Sequence, residues 1–210
     1  TMGSAPQSHA QTTPQIEFLF PPGAQRGTEV DVQFGGEFMP DGCHLSATGT
    51  GLTLQRGETP SDYKFAIAAN AATGPHEVRL AAVQGASAPF PFLIGELAEV
   101  VHAEADKPLD VVLPVTANGR LDVTGDIDEY SIELSEGAQL ICAATTQAIR
   151  SPVDPMLRLL DPSGRVVATS HPHRSADALL VFRATIEGQY RLQIFDFQMT
   201  GSVKHIYRLT

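Results

Sequence analysis

The densest grouping of chemically capable side chains is Ser170-His171-Pro172-His173-Arg174-Ser175-Ala176-Asp177. Histidines at i and i+2 face the same way on a strand, and a nearby carboxylate could complete a metal or proton-relay site. A serine hydrolase would need more: an activated Ser, an orienting carboxylate and an oxyanion hole. Nothing in the sequence supplies the last. The same eight residues read more simply as a solvated hairpin loop after a strand at Val166–Thr169. The other histidines, His9, His44, His76, His102 and His205, are scattered. Nucleophile elbows, phosphate loops, dinucleotide fingerprints and HExxH are absent.

Calcium is the better metal question, because it takes several hard oxygen ligands gathered at turns. Asp126 and Asp128, in the turn Gly125-Asp126-Ile127-Asp128, are candidates for a weak site. Their simpler role is to bond local backbone N–H groups and set the start of a strand. Asp154 and Asp161 each precede a proline and carry the same turn-forming role. Phe195, Phe197 and Tyr207 could flank a sugar or peptide. With no Trp and 7% aromatics, core or edge packing is the favoured reading.

The positioning elements are strands. The chain has 210 residues, 18 Gly and 15 Pro, which implies many turns and few long helices. Period-2 alternation marks Ile16–Phe20, Glu29–Phe34, His44–Ala47, Leu52–Gln55, Tyr63–Ile67, Gly74–Ala82 and Phe90–Ile94. The second half continues with Leu109–Val115, Gly119–Val123, Asp128–Leu134, Gln139–Ala144, Met156–Leu160, Val166–Ser170, Ala178–Ala184, Gly188–Phe195 and His205–Leu209. Turn signals recur every ~8–12 residues, the rhythm of all-β sandwiches. Tyr130, Ile132 and Leu134 are expected on the core face, with Ser131 and Glu133 outside.

The expected organisation is a disordered lead or tag remnant at 1–13, a β-sandwich at 14–95, a linker at 96–108 and a second β-sandwich at 109–210. Cys43 and Cys142 read as two buried small hydrophobes in different domains; a disulfide between them stays open. Hydrophobic residues make up 42% of the chain, enough for packed cores. The net charge of -10 argues against nucleic acid and against an anionic membrane surface. No apolar run approaches the ~20 residues of a spanning helix, so no membrane insertion is expected.

Two resemblances add to this. Pro14-Gln15-Ile16, Pro21-Pro22-Gly23, Gly27-Thr28-Glu29-Val30, Gly35-Gly36-Glu37-Phe38 and Gly74-Pro75 follow the order of the TIG/IPT immunoglobulin-like fold. In that family the late proline precedes the glycine; here it follows. The second half, with Gly125-Asp126-Ile127-Asp128-Glu129-Tyr130, Asp154-Pro155-Met156-Leu157, Asp161-Pro162-Ser163-Gly164 and Gly188-Gln189-Tyr190-Arg191-Leu192, resembles the bacterial pre-peptidase C-terminal (PPC) domain, a jelly-roll-like sandwich. That resemblance implies an accessory module without catalytic machinery, secreted, periplasmic or on the cell surface, within a larger chain. It also implies that calcium can bind near the domain's start. Glu104 and Asp106 stand where the family often has Glu-Pro-Asn-Asp, so they join Asp126 and Asp128 as weak calcium candidates. No other cofactor is implied.

The function expected is therefore a non-catalytic accessory region of an exported bacterial protein, such as a secreted protease. It would assist secretion, attachment or engagement of an extracellular polymer or protein ligand. One alternative is a carbohydrate- or matrix-binding module; another is a hydrolase using the His171/His173 loop.

Overall fold

The computed structural model describes residues 13–83, 85–103, 107–171 and 177–210. Strands dominate them, in the order β1 (Gln15–Phe20), β2 (Gly23–Gln25), β3 (Glu29–Glu37), β4 (His44–Ala47), β5 (Leu52–Arg56), β6 (Asp62–Ile67), β7 (Gly74–Ala82), β8 (Gly85–Ala86) and β9 (Phe90–Gly95). Then come β10 (Glu99–Val101), β11 (Leu109–Val111), β12 (Thr116–Arg120), β13 (Ile127–Leu134) and β14 (Gln139–Thr145). A 3-10 turn at Gln147–Ile149 precedes β15 (Pro155–Leu160), β16 (Val166–Ser170), β17 (Leu179–Arg183), β18 (Gly188–Asp196) and β19 (Ile206–Leu209). The chain is all-β and builds β-sandwiches.

Four sheets form two face-to-face pairs. Sheet β1-β3-β6-β5 stacks on β2-β9-β7-β4, with β8 pairing β7. Between them lies one apolar cluster in which Phe65 and Phe92 are fully buried, their rings 4.9 Å apart. Sheet β10-β12-β19-β14-β17 faces β11-β13-β18-β15-β16 around a second cluster, with Tyr130, Leu157, Leu159, Tyr190 and Ile194 at its centre. Cys43 packs in the first cluster and Cys142 in the second, both as free thiols. Burial pushes the Cys142 thiol up to about 12, which leaves it protonated and inert.

Alternation explains most of this packing. In β13, Tyr130, Ile132 and Leu134 point inward and Glu133 is exposed. Ser131 corrects the expectation of an outward, solvated residue: it is buried. Its small side chain sits on the ladder between Asp110 of β11 and Arg191 of β18, which shade it. Tyr207 follows its favoured reading as a packed aromatic: it is fully buried, because alternation in β19 turns it and Leu209 inward.

Three short strands pair in parallel, β2 with β9, β10 with β12 and β11 with β13, and β2 and β10 lie outside the period-2 reading. Within 96–108, β10 thus joins the second sandwich's sheet. The strand expected at Gly119–Val123 begins earlier, at Thr116, and the one expected at Leu109–Val115 ends at Val111. The lead expected to be disordered falls, up to residue 12, outside the described residues, as do Glu104, Asp106 and His173.

Candidate functional site

Asp128 shares inward parity with Tyr130, so its carboxylate enters the core of the second sandwich and is 2% exposed. Tyr207 donates its hydroxyl hydrogen bond to Asp128 Oδ2, and the Tyr207 and Tyr130 hydroxyls bond each other at 2.7 Å. His102 closes the group: its ring meets Tyr130 edge-on at 5.2 Å, and its Nδ1 stands 3.4 Å from Asp128 Oδ1, without hydrogen-bond alignment. Burial lowers the His102 pKa below 6.5, partly offset by a backbone hydrogen bond with Glu129 and the charge of Asp126. Desolvation pushes both phenols well above their ordinary range. Asp128 thus accepts from a phenol that keeps its proton. A Tyr-Tyr-Asp-His chain has the residue types of a proton relay. Sealed inside the sandwich, it braces the core.

Asp126 lies apart from this chain, at the turn, where its Oδ2 accepts the Asp122 amide N–H at 2.7 Å. Asp126 and Asp128 thus each commit an oxygen to protein donors. Among the described residues, no three His, Cys, Asp or Glu side chains converge to hold a metal. Calcium takes six to eight oxygens, and the other two candidates, Glu104 and Asp106, lie outside the described residues.

Of the Ser170–Asp177 stretch, His171 and Asp177 are among the described residues, and they make different contacts. Asp177 Oδ1 accepts from the Thr146 N–H (2.8 Å), the Thr146 hydroxyl (2.9 Å) and the Gln147 N–H (3.1 Å), fixing the 3-10 turn. His171 instead stacks on the half-exposed ring of Phe197 at 4.0 Å, with Nε2 3.3 Å from Asp154 Oδ1. Asp154 in turn donates its backbone N–H to Asp196 Oδ1 at 2.8 Å. Asp196 Oδ2 accepts from the Gln198 and Thr200 N–H groups and the Thr200 hydroxyl. Burial opposes its ionisation, but these hydrogen bonds and the neighbouring His205 prevail and hold its pKa low.

Sequence reasoning missed a serine–histidine contact in another turn. Ser202 Oγ lies 2.7 Å from His205 Nδ1, and His205 Nε2 lies 3.1 Å from the Thr200 hydroxyl, which donates to Asp196. The order Ser-His-Thr-Asp suggests a nucleophile, but Ser202 Oγ also accepts the Lys204 N–H, which marks a turn brace. The i, i+3 spacing of Ser202 and His205 was the available signal.

A buried ion pair of the second sandwich's sheet lies where that sheet meets the first sandwich. Arg208 projects from the outer face of β19; its Nη1 and Nη2 bond the Glu99 carboxylate at 2.7 and 2.5 Å, and Nη1 also reaches Asn118 Oδ1 at 3.2 Å. Arg208 and Glu99 side chains are 6% and 9% exposed. The guanidinium lies against β2 and the end of β9 because Gly23 and Gly95 lack side chains there. A Cβ on Gly23 would stand 2.3 Å from Nη1, and one on Gly95 2.8 Å from Nη2. Lys204 bonds Glu17, and the Arg120 guanidinium lies 4.7 Å above the Phe20 ring.

Beside this junction runs an open groove of about 920 Å³. One wall is the outer face of sheet β1-β3-β6-β5, including Gln33, Gln55, Asp62 and Lys64; Val101 and Arg120 of the second sandwich form the other. Arg120 is fixed there by Phe20 and by Asp122, whose Oδ1 lies 2.5 Å from its Nε.

The sequence matches no protein-family model and no curated protein. Similar solved structures include the pre-peptidase C-terminal domain of a collagenase from Bacillus anthracis, at 16% identity over 52% of this chain and 98% of that one, with a TM-score of 0.41. SGBP-B from a Bacteroides ovatus mixed-linkage glucan utilization locus, in complex with a mixed-linkage heptasaccharide, aligns at 9% identity over 91% of this chain and 72% of its own, with a TM-score of 0.29. SGBP-B from a xyloglucan utilization locus of Bacteroides uniformis aligns at 11% over 93% and 71%, with a TM-score of 0.27.

Proposed function

We propose that this chain is a non-catalytic accessory region of an exported bacterial protein, holding a parent enzyme or surface protein to an extracellular polymer or protein ligand. In this reading the first sandwich, 14–95, is a TIG/IPT-like module. The second, 109–210, is a PPC-like module, and 96–108 connects them. The protein works outside the cytoplasm, secreted, periplasmic or at the cell surface.

The observation that carries the reading is how the reactive side chains are spent. Asp128, Asp161, Asp177 and Asp196 each accept hydrogen bonds from hydroxyl or backbone donors that shape the core or its turns. Such a carboxylate is a structural brace, with no proton to trade with a substrate. The hydrolase alternative has one contact in its favour, His171 with Asp154.

The test is to immobilise the chain and pass cellulose, chitin, peptidoglycan and collagen fragments over it, with chromogenic ester, glycoside and peptide substrates assayed in parallel. Retention of at least one polymer without turnover is expected. Turnover that vanishes in His171→Ala, or passage of every polymer, would overturn the accessory reading.

A further inference from the structure

We infer that the groove between the two sandwiches binds a neutral polyhydroxylated polymer, a polysaccharide segment, chiefly through Gln33, Gln55, Asp62 and Lys64 on one wall and Arg120 on the other. This rests on the accessory reading above and names its ligand. The first argument is place and size. Ligand sites favour junctions between domains and occupy roughly 300–1,000 Å³, and this groove holds about 920 Å³. It is open to solvent, which suits a stretch of chain better than an isolated small molecule.

The second argument is chemistry. Asp31 pairs with Lys64 and Lys64 with Gln55 across adjacent strands, and Gln33 pairs with Asp62. These positions alternate with the buried Val32, Tyr63 and Phe65, so their side chains share the outer face. The result is a lattice of amide, carboxylate and ammonium groups, donors and acceptors interspersed. A sugar hydroxyl both donates and accepts, so a run of hydroxyls can satisfy both kinds at once. Phe20 offers no free stacking face there, because Arg120 covers it. Hydrogen bonding is therefore the mode of recognition.

The third argument is charge. Asp31, Glu58 and Asp62 line the groove with Arg56, Lys64 and Arg120, three of each sign. The groove is formally neutral on a chain of net charge -10. A balanced lining steers neither a polyanion nor a polycation. The fourth is preorganisation: Lys204 bonds Glu17 and Arg120 lies over the Phe20 ring, contacts that cross between the sandwiches and hold one wall against the other, which lowers the ordering cost of binding. An extended peptide could add to the free edge of β5, but most of the lining comes from the sheet's face and not from that edge.

Affinity electrophoresis in native gels tests this. The neutral probes are mixed-linkage β-glucan, hydroxyethyl cellulose, galactomannan and soluble starch; alginate and gelatin serve as polyanion and polypeptide. At least one neutral polysaccharide should retard the wild-type chain. Gln33→Ala/Lys64→Ala should weaken that affinity by about tenfold or more, the scale of lost interface anchors, while Gln139→Ala on β14 leaves it unchanged. Equal retardation of the groove variant overturns the site and leaves the accessory reading standing. Retardation by gelatin or alginate alone overturns the ligand class. No retardation by any probe overturns the inference. If cellulose, chitin, peptidoglycan and collagen also pass unretained, the accessory reading fails with it.

Discussion

The first sandwich buries one polar side chain, Ser87, whereas the second and the strand leading into it bury ten, from His102 to Arg208, among the described residues. The first is held by apolar contact, with Phe65 against Phe92 and Phe34 edge-on to Tyr63. The second closes its core with carboxylates and hydroxyls. Apolar packing is tolerant in kind and costly only in volume. A buried polar network is cheap while every partner is present and costly when one is removed. The two halves should therefore fail under different insults.

The largest effects should be equal in size and opposite in character. Phe65→Ala empties the first core and should cost about 3–5 kcal/mol. Arg208→Ala should cost a similar ~3–5 kcal/mol, because it strands the Glu99 carboxylate out of water. The two part company on repair. Replacing both partners, Arg208→Met with Glu99→Leu, should recover most of the loss, since an apolar pair needs no desolvated charge. Denaturant titration reads both; a double variant as unstable as Arg208→Ala would show that the ion pair itself is needed.

A matched deletion sharpens the contrast. Tyr207→Phe removes the donor to Asp128 and should cost about 1.5–3 kcal/mol, the scale of hydrogen bonds to charged groups. Tyr63→Phe removes the hydroxyl that accepts the Leu45 N–H at 3.0 Å, a neutral bond of about 0.5–1.5 kcal/mol. Equal losses in thermal or denaturant unfolding would erase the distinction between the halves.

Acid should act mainly on the second sandwich. His102 and His205 both have folded pKa values lowered below 6.5, by burial first. The unfolded chain then binds protons more readily, so their contribution is complete above pH 6.5 and is lost as pH falls toward the folded values. Asp161, held low first by the Ser163 hydroxyl, and Asp196, held low by its donors, contribute above 3.8 and lose it as pH falls further. Unfolding followed from pH 8 to 3 should weaken in two stages, and His102→Phe should shrink the earlier one. An unaltered earlier stage in that variant would assign it elsewhere.

Much of this was legible in period 2 alone. Tyr130, Ile132, Leu134, Tyr190, Leu192 and Ile194 all lie buried where alternation put them. The same rule, carried two residues outward, places Asp128 before Tyr130 and Asp196 after Ile194 on the core face; both are 2% exposed. The acidity of Asp128 pulled the sequence reading toward a turn instead. β2 and β10 were not legible, because three residues make no period and a parallel partner supplies no turn signal. The Arg208–Glu99 pair joins residues 109 positions apart, and only the close approach at Gly23 and Gly95 explains it. The groove was invisible for the same reason: each wall reads as an ordinary solvated sheet face until the junction sets them together.

The smallest expected effect tests the turn that resembles a calcium site. Asp126 Oδ2 accepts one N–H, from Asp122, at a half-buried position. Asp126→Ala should then cost about 1 kcal/mol, the net worth of one such bond. The same variant separates a metal role from a structural one. A specific site raises stability by RT ln(1 + [L]/Kd), and extracellular calcium sites have Kd of about 10⁻⁴–10⁻³ M. With Asp126 and Asp128 each committed to protein donors, wild type should show a flat calorimetric titration and an unshifted melting temperature at ~10 mM Ca²⁺. A rise in melting temperature that Asp126→Ala removes would mean that Glu104 and Asp106 complete a site with these two aspartates. A rise that the variant keeps would place any calcium elsewhere. With no rise at all, the ~1 kcal/mol loss in Asp126→Ala stands as the whole contribution of this carboxylate, a turn brace at the mouth of a core that spends its other acids the same way.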